Sequence, residues 1–589
     1  MVLRTGFTGL CAALAAACGA AGALAQADIA LIEISGPLAE QPSPLAWLES
    51  GDSFTTLSDL IAALDKITES REHDGVVLRL KDAVLSVPQV QELGDAIRRL
   101  RESGRKVHVF AENYSTGELM LGSYADEAIV QAGGTVSLTG LYMEEMFLAD
   151  TLSWIGVKAD LVQIGDYKGA NEMFVQAEPS EAWDWNINQL LDGLYGEMRR
   201  VLAANLGLDD ARLDAAMETG WFSDASEAVE AGLIDSEVDL PTLGDHLGAA
   251  YGEEIAWDEV GPAPVEGFDP SNPFAIFRLL STAPEHTPER ETIAVLHVVG
   301  AIVDGESAGG GLMGGESVGS RTIRNALEEI LAEDLIKGVV VRIDSPGGSA
   351  IASEVMWQGL RRVAEEKPVW ISVGTLAASG GYYTAVGGEK IYVNPSSIVG
   401  SIGVVGGKFS MGELYDKLHI NVVERSRGPR ADLFSSTEPW SPDEKAFIRA
   451  KMSETYNLFT SRVESGRPDI NLEEAAEGRL FTGRRAIELG MADELGSLDT
   501  AITDLAAELG LEEYDVMSYP GPKSLDEVLE EVLGGFVRSP VGGALAGARA
   551  AEELLGSDAW RQVSNSGRAL LQFRREPVQV VMPRVLILK

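Results

Sequence analysis

Gly75-Val76-Val77-Leu78-Arg79-Leu80 recurs as Gly338-Val339-Val340-Val341-Arg342-Ile343, and Ala128-Ile129-Val130 recurs as Ile391-Tyr392-Val393 at the same separation, 338 − 75 = 391 − 128 = 263. A further anchor, Ala231-Gly232-Leu233-Ile234-Asp235 against Leu489-Gly490-Met491-Ala492-Asp493, lies at 490 − 232 = 258, so a small insertion or deletion separates the copies. The chain is one domain written twice. Each apolar run is strand length and alternates with a helical pattern, which predicts parallel βαβ units and an α/β fold in both copies.

Working outward, the first copy reads as strand Ile29 to Ile34, helix 57 to 68, strand 75 to 80, helix 88 to 102, strand 106 to 111 and a short strand near 128 to 131. The second repeats the order: strand 293 to 299, helix 321 to 333, strand 338 to 343, helix 349 to 365, strand 368 to 373. Longer amphipathic helices are expected over 187 to 204 and 442 to 464. The division is 1–27 as a leader, 28–260 as the N-terminal repeat, 261–291 as a linker, 292–510 as the C-terminal repeat and 511–589 as an unassigned tail. Two domains suit 589 residues, which exceed what one core usually organises.

The formal charge of −44 makes nucleic acid or an anionic lipid surface a poor partner and gives a solvated acidic exterior. Residues 1–27 carry one charged side chain, Arg4, then an Ala/Leu/Gly-rich run and the small-x-small triplet Ala25-Gln26-Ala27, the pattern of an export signal. Lipidation at Cys18 and a retained single-pass anchor are the other readings, and all three put the bulk of the chain outside the cytoplasm. Both cysteines, Cys11 and Cys18, fall inside this leader, so the remainder has no disulfide.

Chemistry enters at two strand ends. Strand 338 to 343 runs into Asp344-Ser345-Pro346-Gly347-Gly348-Ser349 and a helix, a turn whose glycine N–H groups can point into space where negative charge is favoured. The next strand leads to Gly374-Thr375-Leu376-Ala377-Ala378-Ser379-Gly380-Gly381, which sets Ser379 at a helix start with small neighbours and a reachable hydroxyl. Alone, such a serine reads as an N-cap; beside Ser-Pro-Gly-Gly on the adjacent strand it reads as a nucleophile. A serine needs a base. The six histidines (His73, His108, His246, His286, His297 and His419) sit in no triad setting, His108 and His297 falling within strands. The remaining base is a lysine whose ammonium burial has neutralised. Lys168, in Gly165-Asp166-Tyr167-Lys168, is the candidate, and it belongs to the first copy. Opposite Ser379 the first copy has Thr116, opposite Ser345 to Gly348 it has Asp82 to Leu85, and opposite Lys168 the second has Gly428-Pro429-Arg430, so each copy is catalytically incomplete.

Over roughly 28 to 510 the motifs Gly165-Asp166-Tyr167-Lys168, Ser345-Pro346-Gly347-Gly348, Ala378-Ser379-Gly380-Gly381-Tyr382 and Val399-Gly400-Ser401-Ile402-Gly403 resemble the long, duplicated signal peptide peptidases (protease IV), envelope serine proteases of the ClpP/crotonase superfamily. The resemblance implies two tandem ClpP/crotonase-like domains. It also implies a Ser-Lys dyad of Ser379 and Lys168, Ser401 orienting the amine, and an oxyanion hole at Gly347, Gly348 and Gly380. It further implies cleaved signal peptides and other extended apolar peptides as substrates, a homotetramer, and a periplasmic location with attachment to the inner membrane by the N-terminal segment. No metal and no cofactor is expected, since no Cys/His cluster suggests one. Two other readings compete. A crotonase-type acyl-CoA enzyme would need acidic catalytic residues and a basic phosphate site, and a non-catalytic envelope scaffold would not need the intact Ser379, Lys168 and Ser401.

Overall fold

The computed structural model describes residues 26–43, 54–262, 286–308, 316–523 and 578–582. Its first sheet has the order β8-β4-β3-β2-β1-β9, with every pair parallel: β1 (Gln26–Pro37), β2 (Gly75–Val84), β3 (Lys106–Ala111), β4 (Glu127–Gln131), β8 (Ser236–Val238) and β9 (Glu254–Glu259). A small two-stranded antiparallel sheet of β5 (Thr135–Val136) and β7 (Ser223–Asp224) stands apart.

The second large sheet repeats the plan with β10 (Thr292–Val299), β13 (Ile336–Ser345), β15 (Val369–Ala378), β17 (Ile398–Gly400), β19 (Leu480–Thr482) and β21 (Asp515–Tyr519), and with β16 (Lys390–Val393) and β20 (Glu494–Leu495) branching from β15. The duplication extends to register. Ile29 lies opposite Gly75 and Ile293 opposite Gly338; His108 lies opposite Glu127 and Trp370 opposite Lys390. The molecule therefore contains two tandem α/β domains.

Parallel strands covered on both faces are predominantly apolar, and β10 is buried at all eight positions, with Thr292 and His297 its polar members. The helices follow the same logic. Val87–Glu102 opens on a capping box between Ser86 and Gln89, carries Pro88 in its first turn, and buries Val90, Leu93, Ile97 and Leu100 on one stripe. Its counterpart Ala350–Val363 is capped by the Ser349 hydroxyl and buries Met356, Leu360 and Val363. Each fully buried side chain of this size contributes roughly 1.5–3 kcal/mol of transfer free energy. The long helices are Glu181–Leu206 and Pro442–Gly466.

A third sheet is composite. Its order is β12-β11-β14-β22-β18-β6, with β6 (Lys158–Ile164), β11 (Ala301–Val303), β12 (Ser317–Gly319), β14 (Gly347–Ser349), β18 (Val404–Ser410) and β22 (Val578–Val581). Here β6, from the first half of the chain, runs antiparallel to β18 of the second over seven residues, from Ile164 opposite Val404 to Lys158 opposite Ser410. Buried Asp160 in β6 accepts a hydrogen bond from the Trp440 backbone N–H at 3.1 Å.

The halves are also joined by buried polar groups. The guanidinium of Arg342, 1% exposed, donates to Glu40 through Nε (2.9 Å) and Nη2 (2.7 Å), to Ser372 Oγ (2.9 Å), and lies 2.8 Å from Glu92. Asn394 donates to Glu92 at 2.6 Å, and Gln91 exchanges two hydrogen bonds with Ser396 at 3.1 Å. Arg342 stands in the repeated strand, whereas Arg79 at the matching place pairs at the surface with Glu33 and Glu112.

Several expectations change. The strand predicted over 368 to 373 continues to Ala378, because Leu376, Ala377 and Ala378 still find partners in β17. Gly347-Gly348-Ser349 is a short strand of the composite sheet rather than a free turn at a helix start; the helix begins only at Ala350. The tail supplies β21 to the second sheet and β22 to the third. Gln26 and Ala27, drawn into the leader, already pair with β9, and the rest of the leader lies outside the described residues, as do 263–285 of the linker. Among the described residues no helix is long and apolar enough to cross a membrane.

Candidate active site

Ser379 follows β15 and precedes the helix Gly380–Ala385, at φ 56° and ψ −111°. A non-glycine residue at positive φ is strained and persists only where its surroundings fix it. Its N–H donates to Gly400 O at 2.7 Å and its carbonyl accepts from Tyr383 N–H at 2.8 Å, so both flanks of the turn are held. Ser401, at φ 53°, is pinned through its N–H to Arg479 O at 2.6 Å.

Lys168 reaches this point because β6 delivers it. After Ile164 the chain turns at Gly165, and the Tyr167 N–H donates to Glu477 O at 2.8 Å. The Lys168 Nζ then lies 2.7 Å from Ser379 Oγ, 2.7 Å from Ser401 O and 2.8 Å from Ser401 Oγ. Lys168, Ser379 and Ser401 all have no exposed surface. Burial is what holds the Lys168 amine well below the usual lysine range.

The contacts constrain the protons. A neutral amine has two N–H bonds and one lone pair, and Ser401 O can only accept. One N–H goes there, and the second finds Ser401 Oγ, which leaves the lone pair for the hydroxyl proton of Ser379. The geometry thus permits proton transfer from Ser379 Oγ to Lys168 Nζ without either residue moving.

The three glycines also come together. A Cβ on Gly380 would stand 3.1 Å from both Gly347 Cα and Gly348 N, and 2.6 Å from Ser353 Oγ, so only glycine lets the two strand ends meet this closely. The Gly347 N–H is engaged by Ser345 Oγ at 3.1 Å, and that hydroxyl donates to Gly300 O at 2.7 Å. Gly380 is the first helical residue, whose N–H has no acceptor inside the helix.

Two features were not visible as site residues in the sequence. The segment Ala476 to Arg479 forms the wall behind the lysine: a Cβ on Gly478, at φ +87°, would lie 2.6 Å from Lys168 Cα, and the Arg479 guanidinium rests 3.9 Å from the centroid of the Tyr167 ring. Ser345 was read only as part of a turn. The expected reachable Ser379 hydroxyl is instead enclosed; Ala378 on its amino side belongs to an apolar cluster with Trp183, Ile187, Leu190, Leu480 and Met582. His108 and His297 are packed in strands as expected, bonded to Glu127 (2.9 Å) and Ser518 (3.2 Å), and burial takes the His297 imidazole down to about 3.

The model of peptidase family S49 matches this chain twice, over residues 99–246 and 361–512, which contain Lys168 and Ser379 respectively. Protease 4 of Salmonella typhi is 27% identical over 523 residues, spanning 86% of this chain and 82% of its own length. The chloroplastic serine protease SPPA of Arabidopsis thaliana is 27% identical over 438 residues (73% of this chain, 62% of its own), and a putative signal peptide peptidase SppA of Enterococcus faecium is 29% identical over 239 residues (40% and 69%). Together with the tandem α/β fold, these matches define a serine protease. The chain belongs to peptidase family S49.

Proposed function

We propose that this protease cleaves peptides through a Ser-Lys dyad assembled across its two halves. The observation that carries the reading is the 2.7 Å approach of Lys168 Nζ to Ser379 Oγ, between residues 211 apart in sequence, inside a pocket dry enough to keep the amine neutral. Lys168 takes the Ser379 proton as Oγ attacks the carbonyl carbon, and Ser401 fixes the direction of the amine through its carbonyl and hydroxyl. Charge developing on the carbonyl oxygen is met by backbone N–H groups at Gly380 and Gly348. The protonated lysine gives its proton to the departing amine. Water then adds to the acyl-serine by the same route and releases the acid.

The substrates proposed are extended, largely apolar peptides such as spent signal sequences, in the envelope of a bacterium. A homotetramer, and attachment of the N-terminal segment to the inner membrane, are parts of the same reading. The resemblance of the motifs supports the substrate class, and so does the apolar cluster that backs Ser379.

Labelling with a serine-directed fluorophosphonate followed by peptide mapping tests the nucleophile. The adduct is expected on Ser379, and both Ser379→Ala and Lys168→Ala should lose peptide turnover while keeping their circular dichroism. Full turnover in Lys168→Ala would remove the lysine from the mechanism. Light scattering on the purified chain reads the oligomer, and a mass other than four protomers would overturn the tetramer.

A further inference from the structure

We infer that Glu477 is a positioning residue of this protease: tied to Tyr456, it anchors a three-residue backbone bracket that sets the Lys168 amine against Ser379 and Ser401. The inference rests on the dyad proposed above. Glu477, Gly478 and Arg479 each give one backbone hydrogen bond to the two segments that carry the amine and its partner. The Glu477 carbonyl accepts from the Tyr167 N–H at 2.8 Å, one residue before the lysine; the Gly478 N–H donates to Ile402 O at 2.8 Å; the Arg479 carbonyl accepts from the Ser401 N–H at 2.6 Å. One end of the bracket therefore holds the proposed base, and the other holds Ser401, whose carbonyl and hydroxyl touch that base. Packing leaves little slack. A Cβ on Gly478 would lie 2.6 Å from both N and Cα of Lys168, and one on Gly165, where the chain turns toward the lysine, would lie 2.8 Å from the Glu477 carbonyl carbon.

What holds the bracket in place is a side chain. Glu477 stands at φ 61°, a left-handed conformation that glycine adopts freely and a glutamate rarely does. The strain is offset by a tie: the Tyr456 hydroxyl donates to Glu477 Oε1 at 2.9 Å, and both residues are half-buried. A hydrogen bond to a carboxylate is among the stronger kind. Tyr456 is itself fixed, because it belongs to the long helix Pro442–Gly466, whose Met452, Phe459 and Val463 are buried in the core of the second half. The same helix reaches β6, where Arg449 donates to Gln163 O at 3.3 Å. One helix thus holds both the strand that delivers Lys168 and, through Glu477, the turn behind it. Glycine at 477 would ease the backbone and leave the bracket untied. An opposition of this kind, between what the backbone prefers and what the site needs, is how strain comes to be stored where function depends on it.

The test separates fold from chemistry. Glu477→Gly removes the strain and the tie together, so the full-length variant should unfold at about the temperature of the parent, while kcat on a fluorogenic apolar peptide falls roughly tenfold and KM stays within about twofold. Glu477→Gln keeps an acceptor oxygen for the tyrosine and should recover most of the lost kcat. Tyr456→Phe removes the donor and should match Glu477→Gly, and the double variant should be no slower than either single one, since both cut the same tie. Should Glu477→Gly fail to fold, Tyr456→Phe carries the comparison, because it leaves the backbone at 477 untouched. Parental kcat in both single variants would overturn the inference. So would additive losses in the double variant, or a melting temperature that drops in step with kcat, which a merely structural role would produce. Lys168→Ala tells this inference from the dyad beneath it. With Lys168→Ala inactive and Glu477→Gly at parental kcat, the dyad stands and the bracket falls; full turnover in Lys168→Ala sinks the dyad itself, and with it any need to aim the amine.

Discussion

At the scale of single residues, Lys168 is the costly one. Its amine makes three contacts among groups with no exposed surface, and burial depresses its proton affinity. As the proposed base, an amine held below its ordinary range is charged at low pH and neutral above, so kcat/KM should rise with pH through the depressed value and level off. A flat profile between about 5 and 9 would exclude a titrating amine. The linkage has a matching sign: the folded state binds that proton less readily than the unfolded chain, so this residue's contribution to stability falls as pH falls. Lys168→Met is therefore expected to be inactive and to melt higher than the parent at mildly acidic pH, with the difference narrowing toward alkaline pH. Ser401→Ala leaves Ser401 O and Ser379 Oγ as partners of the amine; losing one hydrogen bond of about 1.4 kcal/mol should lower kcat roughly tenfold rather than abolish it. Measuring kcat and KM separately checks this, since a positioning residue should move kcat with KM nearly unchanged.

Among the elements, β6 has the decisive part. It leaves the half in which it is encoded and adds to the sheet of the other, which is how residues 168 and 379 come to touch. Gly407 in β18 permits the pairing. A side chain there would run into the Asp160 carbonyl and stand 2.8 Å from Leu161 Cα, backbone that cannot move without parting the strands. Gly407→Ala is expected to cost on the order of 1–3 kcal/mol and at least a hundredfold in turnover, because a 1 Å shift of the lysine suffices for that. Thermal melts and steady-state assays on the same preparation would show it; a stable variant with full activity would mean that β6 does not set the lysine. The sequence made β2, β13 and the helices after them legible, since those apolar runs keep one periodicity and recur at a fixed offset. Its glycine-flanked motifs singled out Ser379, Lys168 and Ser401, which lie within hydrogen-bonding distance around the Lys168 amine. It did not show that Gly347-Gly348 is a strand, that Gly478 backs the lysine, or that Val578–Val581 closes a sheet. Those depend on partners hundreds of residues away, and no local period encodes them.

For the whole molecule, the question is what keeps two halves aligned closely enough to share one site. Arg342 answers part of it, buried between Glu40 and Glu92 of the first half while standing in β13, two residues before Asp344. The Asp344 carboxyl is half-buried, and desolvation with Glu40 nearby pushes it up to about 7, while burial also raises Glu92 despite the guanidinium. Three acids around one cation are tolerable only while the cation is present. Arg342→Met would leave the buried Glu40 and Glu92, with half-buried Asp344 beside them, without a counter-charge, and breaking such a cluster from one side costs about 3–5 kcal/mol. The sign with pH follows from the acids. Once the folded-state proton affinities of Glu92 and Asp344 rise further above the unfolded values, stability is fullest in acid and is lost as pH climbs through the raised range. The variant should therefore fall furthest behind the parent near pH 8 and recover part of the loss near pH 5, visible in chemical denaturation at the two values. Because the cluster spans the halves, turnover should decline at denaturant concentrations where the circular dichroism of each domain is still intact. Coincident loss of activity and helicity in Arg342→Met would instead show that the halves unfold as one unit, and that the shared site is held by the domain cores rather than by this charge.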